Sequence, residues 1–98
     1  MGFCFAAYAQ AGKSIFAMGQ EWAQQNDKTE LALMAFEREQ KTNPQNLEVF
    51  FQLGTLYYYN KKDYPKAKEN LTKYIEVGKD EQHVQNAKDI VAVINRKK

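Results

Sequence analysis

Apolar side chains recur at helical spacing along most of the chain. Ile15, Met18, Gly19 and Trp22 stand at i, i+3, i+4 and i+7, which is one face of a helix with 3.6 residues per turn. Ser14 precedes them as an N-cap, since its hydroxyl can accept an otherwise unpaired backbone N–H. Asn26-Asp27 ends this helix. Leu31, Met34, Ala35 and Arg38, with Ala32 and Phe36 alongside, predict a second amphipathic helix from near Thr29 to Thr42-Asn43-Pro44, where Pro44 disfavours helical geometry in the residue before it. Asn46 is placed to cap a third helix over 47–59, which Asn60-Lys61-Lys62 breaks. Asp63 caps a fourth, with Pro65 in the first turn, Ala67, Leu71, Tyr74 and Ile75 on its apolar side and Gly78 as its stop. A last helix is predicted over 81–95. Its stripe is Val84, Ala87, Ile90, Val91 and Ile94, opposite a mostly polar face of Gln85, Lys88, Asp89 and Ala92. Arg96-Lys97-Lys98 follow at the negative end of its dipole.

The pattern repeats. A shift of 35 residues aligns Ile15 with Phe50, Met18 with Leu53, Gly19 with Gly54, Trp22 with Tyr57, Ala32 with Ala67 and Phe36 with Leu71. Self-similarity at such a period is the mark of stacked helical hairpins. The expected fold is all-α: an N-terminal apolar segment over 1–12, one hairpin repeat over 13–46, a second over 47–79, and a C-terminal capping helix over 80–98.

This arrangement resembles the tetratricopeptide repeat family, whose signature runs W-x2-L-G-x2-Y, then A-x3-F, then P. Phe50-x2-Leu53-Gly54-x2-Tyr57 matches the first part with Phe for Trp, and Ala32-x3-Phe36 with Pro44 matches the second. Ile15, Met18 and Trp22 depart conservatively around Gly19, and Gly78 or Lys79 stands where the second repeat would have its proline. Both repeats carry one residue more than the usual 34, between the two helices. The resemblance covers about 70 of the 98 residues. It implies a right-handed solenoid in which glycine and alanine let paired helices approach closely. Two repeats fall short of the three or so that make a stable stack, so the N-terminal edge is expected to be covered by residues 1–12 as an extra helix, by a second copy, or by a preceding part of a longer protein.

Composition narrows the class. Thirteen Phe, Tyr and Trp side chains among 98 residues supply more apolar surface than a disordered chain carries. Cys4 stands alone, which excludes an internal disulfide, and the single histidine, His83, leaves no cluster for zinc. The longest apolar run, residues 1–9, is about half of what a membrane span needs. It resembles the end of a secretory signal, with Ala7-Tyr8-Ala9 or Ala9-Gln10-Ala11 as small-residue cleavage sites, though no basic residue precedes Phe3. The alternative is a short apolar helix packed on the first repeat. Phe3 before Cys4 speaks against a lipoprotein signal, and Ala6 stands where N-myristoylation wants Ser or Thr. The expectation is therefore an exported or periplasmic protein if residues 1–11 are a signal remnant, and otherwise a cytoplasmic one.

Within the family resemblance, the concave surface is lined by the first helix of each repeat. This places Phe16, Gln20, Ala23 and Gln24, then Glu48, Phe51, Thr55, Tyr58 and Tyr59, on a groove. Phe16 and Phe51 are alternatively junction fillers, and one of Tyr58 and Tyr59 is alternatively buried between repeats. Tyrosine is otherwise well suited to binding, because it gives contact area at low entropy cost and still presents a hydroxyl. The family's carboxylate-holding positions are taken here by Phe16, Gln20, Phe51 and Thr55, so capture of an acidic chain end is not expected.

Catalysis has little support in the sequence. His83 lacks a second histidine or a cysteine at ligand or triad spacing and reads as a solvated residue, while Asp80, Glu81 and Asp89 read as capping and surface charge. Gly12-Lys13-Ser14 lacks the earlier glycine of a phosphate loop, since Ala7 stands there. Residues 1–49 hold four basic and six acidic side chains, and residues 50–98 hold ten and six. Lys61, Lys62, Lys66, Lys68 and Lys73 are interspersed with Asp63, Glu69 and Glu76, which describes a solvated outer face better than a nucleic-acid surface. The expected function is non-enzymatic: a module without cofactor, metal or nucleic acid that binds a partner protein or peptide along the groove. The alternative is a self-assembly unit pairing through its N-terminal repeat edge into a homo-oligomer.

Overall fold

Local capping chemistry sets the helix starts. The Ser14 hydroxyl accepts from the Ala17 amide at 3.1 Å, an Asp63 carboxylate oxygen from the Lys66 amide at 3.3 Å, and Asp80 Oδ1 from the Gln82 and His83 amides at 3.1 and 3.3 Å. Each satisfies N–H groups that have no partner within the helix. The structure, a computed structural model, describes residues 14–97. The segment 1–12, with its signal-like run and Cys4, lies outside the described residues. These form α1 (Ile15–Ala23), a 3₁₀ turn (Asn26–Lys28), α2 (Thr29–Thr42), α3 (Glu48–Leu56), a π-helical turn (Tyr57–Lys61), α4 (Tyr64–Val77) and α5 (Glu81–Arg96). The fold is all-α, with no strand among the described residues.

The helices pack mainly on near neighbours in sequence. α1 lies on α2 and α3 on α4; α3 also meets α2 and α1, and α5 meets α4 and α3. A single core runs through α2 to α5, with Ala32, Phe36, Ala67, Leu71, Tyr74 and Ala87 fully buried. Two glycines set its tightest points. A Cβ on Gly19 would lie 2.7 Å from the Phe36 ring, and one on Gly54 would lie 2.5 Å from Leu71 Cγ and Cδ2. Phe36 and Leu71 are themselves 35 residues apart, so one helix crossing occurs twice at one register. Ile15 and Phe50 are half-buried, and Met18 and Leu53 are buried in the corresponding places.

Three boundaries differ from expectation, each for a physical reason. Asn46 does not cap α3: Leu47 holds the cap position without a side-chain hydrogen bond. The Asn46 amide instead donates to Glu39 Oε2 at 2.8 Å, beside the Asn43 amide at 3.0 Å, because the Glu39 carboxylate is buried and must be hydrogen-bonded there. The helix expected over 47–59 is α-helical only to Leu56 and then widens into the π turn. Lys62 closes that turn in the left-handed conformation (φ 55°), its amide bonding to the Tyr57 carbonyl. The first helix ends sooner, at Ala23 rather than Asn26-Asp27, and the chain crosses to α2 through the 3₁₀ turn. The two hairpins thus differ in their crossovers, over-wide winding in one and tight winding in the other.

Candidate functional site

The π turn is anchored on the first hairpin. Asn60 Nδ2 donates to Thr29 Oγ1 at 3.1 Å, Lys61 pairs with Glu30, and the Tyr57 hydroxyl donates to Glu37 Oε2 at 3.4 Å. Burial, reinforced by Glu37, pushes the Tyr57 hydroxyl above its usual pKa. So held, the turn presents a tyrosine cluster: Tyr58 meets Tyr59 edge-on at 4.8 Å and Tyr64 at 5.6 Å between ring centroids. Tyr59 is 60% exposed, the most open aromatic ring among the described residues' large exposed hydrophobics.

Tyr59 rims a depression of about 300 Å³ between α3 and α5, which Phe51, Thr55, Asn86, Asp89 and Ile90 complete. The residues predicted for the groove distribute as follows. Phe51, Thr55 and Tyr59 come together here. Phe51 is nearly buried and contributes only floor. Thr55 donates its hydroxyl to the Gln52 carbonyl at 3.1 Å. Tyr58 is half-buried among the other tyrosines. Phe16 is half-buried and packs on Phe36 at 5.8 Å, while Gln20 is half-buried and Gln24 exposed; the first two lie on α1 and Gln24 at its C-cap, all outside the depression.

Glu48 does not line the groove; it joins α3 to α4 and α5. Its Oε2 accepts from the Tyr74 hydroxyl and its Oε1 from His83 Nδ1 at 2.8 Å. Asp80 Oδ2 stands 3.5 Å from the same nitrogen. His83 stacks flat on Phe51, with centroids 4.2 Å apart and planes 8° apart, so it is a packed residue rather than a solvated one. Burial first, then Glu48, raises the Tyr74 hydroxyl far above its usual pKa. Glu48, Asp80 and His83 offer one ligand atom each within 4.8 Å, the three-point geometry a metal would use. However, Glu48 and Asp80 stand at the first turn of α3 and the cap of α5. The positive ends of these two helices explain the carboxylates and oppose a cation. The cluster is accordingly a hydrogen-bonded joint between α3, α4 and α5.

The sequence reading missed this joint and the α5 side of the groove. Both were signalled by the 35-residue register, which maps Glu48 onto His83 and Phe51 onto Asn86; α5 continues the phase of α1 and α3. A second cavity, about 360 Å³, opens between α2 and α4 over Phe50, Leu53 and Tyr57. Glu37, Glu69, Lys66 and Lys73 rim it with balanced charge. Lys66 lies over the Tyr57 ring at 5.5 Å and Lys61 pairs with Glu30, so part of the basic face is already engaged. No helix of the described residues is long and apolar enough to cross a membrane. No family model, curated protein or solved structure matches this chain.

Proposed function

We propose that the chain is a tetratricopeptide-like binding module, without enzymatic activity, that takes an extended segment of a partner protein in the groove between α3 and α5. The observation that carries the reading is the exposed Tyr59 ring at a preformed depression, floored by Phe51 and fixed by the Glu48–His83 joint. A rigid aromatic residue held in place before binding loses little entropy when a partner arrives. The recurrence of the Gly19–Phe36 crossing as Gly54–Leu71 supports a solenoid of repeated hairpins. The test is a selection of nine-residue display peptides on the whole chain. Selected peptides are expected to weaken at least ~10-fold on Tyr59→Ala with unchanged melting, tenfold being about 1.4 kcal/mol. Equal binding by both forms rejects the groove.

One observation favours a second reading, self-assembly through the first repeat. Leu31 and Met34 are 42% and 64% exposed on α2, where the second hairpin carries Lys66 and Glu69 at the same register. Light scattering after size exclusion decides it. A stable dimer that Leu31→Lys with Met34→Glu converts to monomer supports assembly, and a monomer at tens of micromolar rejects it.

A further inference from the structure

Resting on the groove reading above, we infer that the partner segment presents an arginine side chain to the pocket formed by Asp89 and Tyr59. The argument is charge complementarity. Of the residues lining the depression, Asp89 alone is charged; the others are Phe51, Thr55, Tyr59, Asn86 and Ile90. No lysine or arginine lines it. The exposed Lys61, Lys66, Lys68 and Lys73 belong to the π turn and α4, and Lys66, Lys68 and Lys73 line the cavities on that side. Of the two cations nearest Tyr59 in sequence, Lys61 pairs with Glu30 and Lys62 donates to the Tyr59 carbonyl at 3.5 Å, and neither lines the depression.

Asp89 is exposed, and its Oδ1 accepts from Gln85 Nε2 at 3.0 Å, one turn earlier on α5, which leaves lone pairs on both oxygens for further donors. The Asn86 amide beside it adds a neutral donor and acceptor. A guanidinium satisfies both sides of this pocket at once: it forks to a carboxylate through parallel N–H donors and lays its flat face on an aromatic ring. An ammonium can lie over the ring but offers no planar fork to the carboxylate, and a carboxylate is repelled. The volume, about 300 Å³, accommodates one long side chain with adjoining backbone, and Phe51 and Ile90 offer apolar surface to its methylenes. Neither Asp89 nor Tyr59 is claimed by the core: both are exposed, so both can be changed without unfolding the chain.

The experiment is the same display selection, read for composition, followed by titration of the selected synthetic peptides against the whole chain. Arginine is expected to be enriched at one position. Replacing it by citrulline, which keeps shape and removes charge, should weaken binding at least ~10-fold; Asp89→Asn should do the same. Asp89→Lys should select peptides bearing Asp or Glu at that position. Peptides without enriched arginine, or affinities indifferent to Asp89→Asn yet lost in Tyr59→Ala, overturn the arginine pocket and leave the groove reading intact. Affinities indifferent to both substitutions, or no peptide selected, overturn both.

Discussion

The two hairpins share a frame but not a setting. In each, a glycine of the first helix receives a large side chain seventeen residues later, Phe36 at Gly19 and Leu71 at Gly54, and each has a fully buried alanine, Ala32 or Ala67. The α3–α4 hairpin is flanked by α2 on one side and α5 on the other, whereas among the described residues α1–α2 has a neighbour on one side only. The difference shows on the outside: Leu31 and Met34 are exposed where the second hairpin has lysine and glutamate. Trp22 is half-buried where Tyr57 is buried. A hairpin of this kind cannot bury its apolar stripe by itself, so the number of neighbours sets how completely it is closed.

Substitutions can break that comparison or sharpen it. The largest effect is expected at the crossings. Gly54→Leu should cost ~1 to 3 kcal/mol by overpacking, because even the Cβ would meet Leu71 Cγ at 2.5 Å and its backbone nitrogen at 3.3 Å. Gly19→Leu should cost less, since its three nearest contacts are all with the Phe36 ring, a side chain that can shift, whereas Gly54 also meets backbone. Urea titration of both variants measures this, and an unchanged midpoint for Gly54→Leu removes the close crossing.

Tyr74→Phe tests what the second hairpin gains from α5. The hydroxyl donates to a partly exposed carboxylate, so its loss should cost about 1.5 kcal/mol, at the low end for charged hydrogen bonds. Its pH signature is distinctive. Tyr74 is raised above the ordinary value of 10.0 in the folded chain, so the unfolded chain releases its proton first. The stabilisation is complete below about pH 10 and falls as pH rises towards the folded value. Tyr74→Phe should flatten most of that alkaline decline in melting temperature, leaving the smaller part due to Tyr57; a decline as steep as the parent's assigns it elsewhere.

Helix caps give a finer contrast. Asp63→Ala and Ser14→Ala each remove one side-chain cap and should cost about 1 kcal/mol. The Asp63 loss should be felt in the global transition, and the Ser14 loss mainly as earlier hydrogen exchange in α1. Identical exchange patterns for the two would mean that the hairpins melt as one unit. The smallest effect belongs to Leu31→Lys with Met34→Glu, which gives the first hairpin the second one's exterior. In a monomer it should lie within about 0.5 kcal/mol of the parent, as chemical denaturation would show.

Much of the helical frame was legible from residue spacing, because the 35-residue offset carries glycines, alanines and large apolar residues together. Ser14, Asp63, Asp80 and Gly78 bound helices where their chemistry says they should. Asn46 misled because two needs competed for one amide, and a buried Glu39 carboxylate outweighed an exposed helix start. The π turn was illegible because widening to five-residue spacing depends on what Tyr57, Asn60 and Lys61 touch on the first hairpin, and no local pattern encodes that. Of the residues lining the depression, Phe51, Thr55 and Tyr59 were within reach of the family resemblance, which assigns a binding surface to the first helix of each repeat. Asn86, Asp89 and Ile90 were overlooked because α5 was treated as a lid rather than as the next helix in phase.

The neighbour-by-neighbour stacking of α1 to α5 also bears on how the chain comes together in time. Contacts that link elements close in sequence need little loop closure before they reward the chain, which favours rapid assembly. The doubly flanked α3–α4 pair is the natural nucleus, from which order spreads outward to α5 and to α1–α2. Run in reverse, the same sequence makes α1 the first of the described helices to fray and the amides around Leu53, Leu71 and Tyr74 the last to surrender their protons to solvent.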